Sequence, residues 1–329
     1  MEPLVSVIVP CYNAAPFLPS TVASVRAQTH ARREIILVDD GSTDGSGTLA
    51  DQLAGADMRV IHQANRGVCA ALNRGLAEAQ GDYIEYLDAD DLLDPGKIRS
   101  QLLRLRSLPA TALCSGSWGR FEGDPSTARF SPEAVWRDLD PVGWLVESWS
   151  GGGMMPGCAW LVSRAIVDAA GPWNESLTLI NDLEYFTRVV LSATEVAFCG
   201  ESRSYYRSNV QGSVSRRRGP DAWRSAFAAT HMSAALLLAR EDSARTRRAC
   251  AANYQRLVES AYPDVPDLTG PAERRIEELG GAPLRAEGGR AFRVLCHLLG
   301  WKAARRAQLA ARRVWGSNKA APGGARDSD

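Results

Sequence analysis

Residues 83–91 read YIEYLDADD, an apolar run that passes straight into acids: Asp88, Asp90 and Asp91, with Glu85 just upstream. In an extended chain alternate side chains share a face, so Asp88 and Asp90 project together. Two neighbouring carboxylates repel unless a cation lies between them, and hard oxygen ligands suit Mg2+ or Mn2+. An ion held by only one or two carboxylates leaves its other positions to water and substrate phosphates. The segment therefore fits a metal–diphosphate site with Asp88 and Asp90 as ligands. It fits equally a solvated turn whose acids precede a helix, because Asp94-Pro95 follows at once.

The elements that would position these acids are legible upstream. Residues 5–9 (VSVIV) form a continuous apolar run ending at Pro10, as in a strand buried on both faces. Leu18, Val22 and Val25 mark one stripe of a helix, and residues 35–38 the next buried strand, which stops at DDGSTDGS (39–46). Helix 48–53, strand 59–61, helix 68–79, strand 83–87 and helix 95–105 follow. Strands alternating with helices predict an α/β fold of βαβ units around a mostly parallel sheet. Ligands of such sheets bind at the carboxyl ends of the strands. Residues 10–13, 39–42 and 88–91 all fall there, so three polar clusters converge on one rim.

VSVIVPCYNAAPFLPSTVASV, EIILVDDGSTDGS and NRGVCAALNRGLAEAQGDYIEYLDADD together resemble the nucleotide-binding half of family 2 glycosyltransferases with the GT-A fold. The resemblance is dense over residues 4–110 and sparser over 156–215. It implies a Rossmann-like sheet flanked by helices, with Pro10, Tyr12, Asn13, Asp39, Asp88 and Asp90 around a nucleotide-sugar. Tyr12 and Asp39 would meet the nucleobase; Asp88 and Asp90 would meet the ribose and a diphosphate carrying Mn2+ or Mg2+. An aromatic face for stacking and a carboxylate accepting from a ring N–H are suited to a uracil. Read singly, Tyr12 is packing at a strand end and residues 39–41 are turn chemistry before a helix.

The second half adds an acceptor side. The glycine-rich stretch 151–157 lacks the GK[ST] ending of a phosphate-binding loop and reads as a mobile acceptor loop or a linker. A short strand at 158–162 and a helix at 164–170 precede another helix opening at Asn181. By the resemblance a carboxylate at this helix start is the general base: Asp182, with Glu184 in reserve. An acid in a first helical turn is also favoured by the helix dipole alone, by ~0.3–1 kcal/mol. Residues 205–215 resemble the family's tyrosine–arginine segment, but Asn209 stands where many members have histidine. These parts imply an inverting transfer from a nucleotide-diphosphate sugar, UDP by default, to a saccharide, lipid-linked or protein-linked acceptor in cell-surface polysaccharide or glycoconjugate synthesis. Loops 115–136 and 148–157 would read the sugar and the acceptor. The rival reading is a non-catalytic nucleotide-sugar-binding or scaffold protein on the same fold.

Composition narrows the rest. The seven cysteines form no CxxC pair, which argues against a zinc site, and no GxGxxG follows the first strand, which argues against a dinucleotide fold. Scattered cysteines, a first strand starting within four residues and no apolar run near ~20 residues predict a cytoplasmic protein without signal peptide or membrane span. The chain divides into a catalytic domain at 1–220 (nucleotide-binding half 1–110, acceptor half 111–220), a helical region at 221–315 and a disordered tail at 316–329. Its 38 basic and 38 acidic residues balance, yet residues 288–326 hold nine basic residues and no acid. A basic amphipathic segment over 289–315 predicts either a peripheral place on an anionic inner membrane face or docking on the acidic catalytic domain. Aromatic residues are too sparse there for a nucleic-acid partner.

Overall fold

The computed structural model describes residues 2–210, 219–281 and 290–317. Four parallel strands, β1 (Val5–Cys11), β2 (Arg33–Asp39), β3 (Met58–His62) and β4 (Tyr83–Tyr86), lie side by side in the order β3-β2-β1-β4. Helices α1 (Leu18–Arg26), α2 (Ser46–Leu53) and α3 (Val68–Glu78) lie on the crossovers. The pleat sends Val5, Val7 and Val9 against Leu18 and Val22 of α1. Ile8 goes the other way, against Cys69 and Leu72 of α3. Both faces are covered, which is why β1 has no polar alternation.

Beyond β4 the sheet changes direction. β5 (Leu92–Leu93), α4 (Lys97–Leu105), β6 (Ala112–Phe121), α5 (Pro141–Glu147), β7 (Trp160–Ser163), α6 (Arg164–Ala170), α7 (Asn181–Ser192) and β8 (Glu195–Arg207) complete it. The full order is β3-β2-β1-β4-β7-β6-β8-β5, with β7 antiparallel to both β4 and β6. Residues 115–121, expected as loop, are therefore strand. Ser115, Gly116 and Ser117 hide the signal because they are small for a packing reason: a Cβ on Gly116 would lie 2.5 Å from Ser202 Oγ. The register of β6 against β8 shifts at this point. The strand expected at 158–162 starts only at Trp160, after a 3-10 turn at Gly157–Ala159.

Glu85, grouped with the rim acids by sequence, points instead into the interior at this junction. It pairs with the Lys97 ammonium, both side chains having no solvent exposure. Lys97 also donates to the Trp160 carbonyl at 2.9 Å, so one cation ties β4, α4 and β7 together. Burial raises the Glu85 pKa, and the Lys97 charge opposes that shift.

The C-terminal region is helical: α8 (Pro220–Arg240), α9 (Ala244–Ala261), α10 (Pro266–Glu278), α11 (Arg290–Leu299) and α12 (Trp301–Ser317). It shares its interior with the α/β part of the chain. Ser225 Oγ of α8 accepts from the Thr178 and Leu179 N–H groups at 2.7 and 3.1 Å. Leu237, Cys250 and Tyr254 join one apolar cluster with Trp160 and Tyr185. The start of α12 is docked within the appendage itself: Ala304 is buried, Lys302 meets Glu273 at 2.7 Å, and Trp301 packs edge-on to Tyr262. Residues 316 and 317, assigned by sequence to the tail, end this helix, and the rest of the expected tail lies outside the described residues. No helix among the described residues is long and apolar enough to cross a membrane.

Lys97→Met would strand a buried carboxylate and lower stability by ~3–5 kcal/mol, whereas Glu85→Leu/Lys97→Met recovers most of that loss. Urea denaturation of the wild type and both variants measures the difference.

Candidate functional site

The carboxyl ends of β1, β2 and β4 form the rim. β1 runs into Tyr12, an exposed aromatic ring, and Asn13, in the left-handed region at φ 51°. Pro10 is buried near the end of β1. The Leu87 N–H donates to the Ile8 carbonyl at 3.0 Å, and Pro10 repeats that orientation where β4 has already left the ladder. Its missing N–H therefore leaves no bond unmade, and its ring forms floor, not surface.

The GSTDGS loop clamps the end of β1. Asn13 N–H donates to Ser42 Oγ (3.0 Å), Asn13 Oδ1 accepts from Thr43 N–H (2.8 Å) and Ala14 N–H donates to Ser46 Oγ (2.9 Å). The paired aspartates at the end of β2 divide their tasks. Asp40 is buried and accepts from Gln63 Nε2, Arg66 N–H and Gly67 N–H at 2.7–2.9 Å, holding the entry to α3. Asp39 accepts from Ser42 N–H at 3.2 Å and meets His62 Nδ1 at 3.1 Å. His62 Nε2 lies 3.0 Å from Asp51, so each ring nitrogen faces a carboxylate, and Asp51 followed by Asp39 raises the imidazole pKa. Sequence reading missed His62; its place at the last residue of β3, beside the end of β2, was the available signal.

The acidic loop after β4 is pinned from two sides. Thr21 Oγ1 of α1 donates to the Ala89 and Asp91 carbonyls at 2.9 and 3.0 Å. Arg207, at the end of β8, donates its N–H to Asp91 Oδ1 and its Nε–H to the Asp90 carbonyl, each at 2.8 Å. Its guanidinium is sandwiched over Phe17 and Phe121. Asp91 is thus buried and structural, while Asp88 opens to solvent and Asp90 is half-buried. Surrounding protein and the charges of Asp90 and Asp182 push the Asp88 pKa up to about 7. Burial raises Asp90 as well, opposed by its own backbone N–H and by Arg207.

Asn181 Nδ2 donates to Cys69 Sγ near the start of α3 at 3.0 Å, which sets the first turn of α7 at this rim. Asp182 sits in the first turn of α7, directly after Ile180, which is held at φ 47°, ψ 34°. A β-branched residue there costs of order 1–3 kcal/mol, a strain located where the chain turns to present Asp182. Asp182 Oδ1 accepts from Leu183 N–H at 2.9 Å, and crowding by protein raises its pKa even though it reaches solvent. It lines a cavity of about 310 Å³ with Ile180, Met154 and Met155.

Two expectations change on this geometry. Glu184, the reserve base, is buried and its carboxylate is committed to Arg188 Nε and Nη2 at 2.7 and 2.8 Å; the same guanidinium braces carbonyls of residues 170–172. Side chains one turn apart on a helix reach each other and that is what absorbs Glu184. Asn209 donates to Glu122 Oε1. The glycines of 151–157 are partly a matter of space: a Cβ on Gly152 or Gly153 would strike Glu147 or Glu133.

No group of three or more Asp, Glu, His or Cys side chains able to hold a metal exists among the described residues. An ion would therefore depend on Asp88 and Asp90, with water and substrate phosphates as its other ligands. The residues fit such an ion: the donors are hard oxygens, and two carboxylates two positions apart repel each other unless a cation lies near them.

The description "Glycosyl transferase family 2" belongs to the family whose model matches residues 6–169. The chain is 50% identical over 93 residues to the uncharacterized glycosyltransferase EpsJ of Bacillus subtilis, covering 28% of this chain and 27% of that one. It is 38% identical over 127 residues to glycosyltransferase GlyG of Streptococcus pneumoniae, covering 38% and 42%. These matches span less than half the length of either relative. Among solved structures, S. aureus TarS in complex with UDP-GlcNAc aligns with TM-score 0.61 at 14% identity, over 84% of this chain and 88% of that one. The mannosyltransferase PcManGT of Pyrobaculum calidifontis, in complex with GDP-Man and Mn2+, aligns with TM-score 0.55 at 16% identity, over 96% and 88%. The α/β sheet with flanking helices is the GT-A fold.

His62 carries a raised pKa, so the stability from its charged form is complete below its ordinary pKa of 6.5 and is lost as pH rises through the folded value. His62→Gln should melt below the wild type at pH 6, and the gap in Tm should close at pH 9.

Proposed function

We propose that this chain, a family 2 glycosyltransferase over residues 6–169, moves a sugar from a nucleoside-diphosphate donor to an acceptor hydroxyl with inversion at the anomeric carbon. What supports the reading is that Asp88 and Asp90 follow β4 at the rim while the start of α7, which carries Asp182, is bonded there through Asn181 to Cys69 of α3 at 3.0 Å. Tyr12 offers its exposed face to the nucleobase, and Asp39, oriented by His62 and Ser42, borders the same rim. UDP is the default nucleotide.

Asp88 and Asp90 would hold Mn2+ or Mg2+, which neutralises charge on the departing diphosphate. Asp182 takes the proton from the acceptor hydroxyl. The oxygen attacks the anomeric carbon from the face opposite the diphosphate, the new C–O bond forms, and the old C–O bond breaks with its electron pair leaving on the nucleoside diphosphate. No second carboxylate is needed as a nucleophile, since Glu184 is tied to Arg188. Non-catalytic binding on the same fold is less well supported: a carboxylate held at the cleft by a strained Ile180 serves proton transfer and adds nothing to donor affinity.

A peripheral membrane location is supported by α11, where Val294, Leu298 and Leu299 are 58–70% exposed in a stretch whose sequence contains no acid from 288 to 326. An apolar face beside basic residues suits an anionic lipid surface. Such a location would bring the cleft near a lipid-linked acceptor.

The reading is tested by turnover of nucleotide sugars with Mn2+. Asp182→Asn should keep donor affinity within about twofold and lower transfer by ~10²–10⁴; transfer at the wild-type rate would remove Asp182 as the base. Because burial raises the Asp182 pKa, the wild-type rate should fall, on acidification, at a pH above the ordinary 3.8 of an aspartate. Full-length protein should co-sediment with vesicles containing anionic lipid and Leu298→Glu/Leu299→Glu should not; no binding by the wild type would remove the membrane reading.

A further inference from the structure

The histidine at the end of β3 ties the rim to the protein surface. His62 Nδ1 lies 3.1 Å from Asp39 Oδ2, and its Nε2 lies 3.0 Å from Oδ1 of Asp51 in α2. Side-chain exposure falls along this line, from 61% at Asp51 through 48% at His62 to 7% at Asp39. Asp39 is confined on its other sides as well. Its Oδ1 accepts from Ser42 N–H at 3.2 Å. A Cβ on Gly47 would stand 2.7 Å from Asp39 Oδ2 and 3.5 Å from His62 Cε1, so the start of α2 closes on the pair only because Gly47 has none. The carboxylate is thus held from β3, from α2 and from the loop between β2 and α2.

An imidazole with a carboxylate at each nitrogen needs a proton on both, because only the imidazolium donates twice. The neutral ring must turn a lone pair on one of its two partners. Asp51 can withdraw into water, whereas Asp39 is walled in. Loss of the proton therefore unfastens the ring from α2 and removes the cation beside Asp39. The other titratable groups nearby do not replace it. Cys11, the register partner of Asp39 on β1, has its thiol pushed up to about 11 by burial and stays neutral. Asp44 accepts from the Ser46 and Ala15 N–H groups, and Asp40 is taken up by Gln63 and the entry to α3. Asp51 and then Asp39 hold the imidazole pKa above its ordinary 6.5.

We propose that His62 is a positioning residue for Asp39, and that Asp51, His62 and Asp39 form a relay from surface to rim through which one proton on the imidazole sets the affinity for the nucleoside-diphosphate donor. The proposal rests on Asp39 meeting the nucleobase, as in the proposed function, and adds a control of donor capture from the surface of α2. With the ring charged, Asp39 is fixed in one orientation before the nucleobase arrives, and little ordering is left for binding to supply. With the ring neutral, binding must order that carboxylate itself. Affinity is therefore highest below the His62 pKa and falls as pH rises through it.

UDP with Mn2+ is titrated calorimetrically into the full-length wild type, Asp51→Asn and His62→Gln between pH 6 and pH 9. The rim acids and the phosphates are common to all three, so the difference between the wild-type and His62→Gln curves isolates the imidazole. The wild type should bind about tenfold more tightly than His62→Gln at pH 6, as one charge-assisted hydrogen bond implies, and the two should converge at pH 9. Asp51→Asn, at an exposed position, should move the fall in affinity to lower pH. Binding couplings are reciprocal, so UDP with Mg2+ should raise the midpoint of the His62 ring signal in wild-type NMR titrations by about one pH unit. That signal, one of four histidines, is assigned by its displacement in Asp51→Asn. If His62→Gln does not fold, the Asp51→Asn and NMR arms decide alone. Wild-type and His62→Gln curves within twofold at pH 6, an unmoved fall in Asp51→Asn, or a His62 midpoint indifferent to UDP would each overturn the proposal. Each of these outcomes requires UDP to bind and leaves the proposed function standing, whereas absence of UDP binding at every pH sinks the reading beneath it.

Discussion

Like charge is concentrated where β4 ends. Asp88, Asp90 and Asp91 fall within four residues, and α7 brings Asp182 to the same cleft. Carboxylates so placed raise one another's pKa and would lose their charge if all were treated alike. The surrounding structure treats them differently. Asp91 is sunk into the protein against the Arg207 N–H, Asp90 lies under the influence of the Arg207 guanidinium, and Asp88 meets no cation among the described residues that offsets its raised pKa. Contacts of its guanidinium with the Phe17 and Phe121 rings hold Arg207 where it meets Asp90 and Asp91. Thr21 holds the same loop from the opposite side, so its backbone is fixed before any ligand arrives.

The same division of labour recurs through the site. Asp40 is absorbed by three donors while its neighbour Asp39 faces His62. Glu184 is absorbed by Arg188 while Asp182, two residues earlier, accepts from its neighbour's N–H and lines the cavity. In each case one acid is taken up by structural contacts and a nearby acid keeps fewer of them. Below the rim, Glu85 and Lys97 do the corresponding work without solvent, joining the parallel half of the sheet to the antiparallel β7.

The C-terminal helices extend this arrangement. They share apolar interior with Trp144, Trp160 and Tyr185, and Ser225 fixes the backbone of residues 178 and 179 immediately before the strained Ile180. Changes in α8 or α9 therefore have a short physical route to the turn that presents Asp182. The apolar residues exposed on α11 stand apart from this packing, whereas the start of α12 is held against α10 and Tyr262.

By itself the sequence determined the parallel half of the sheet and the three polar clusters at its edge. β-branched runs broken by turn residues depend on neighbours only a few positions away, so β1, β2 and β4 were legible with their ends nearly in place. β6 was not, because Ser115, Gly116 and Ser117 are chosen by the close approach of β8, a contact some eighty residues distant. Which acid of each pair remains free was also undecided in the sequence: Asp91 and Glu184 look as available as Asp88 and Asp182 until Arg207 and Arg188 are seen against them. Long-range packing alone brings α7 to the end of β4 and closes the cavity beside Asp182 with α9, since no local pattern encodes where two elements will meet.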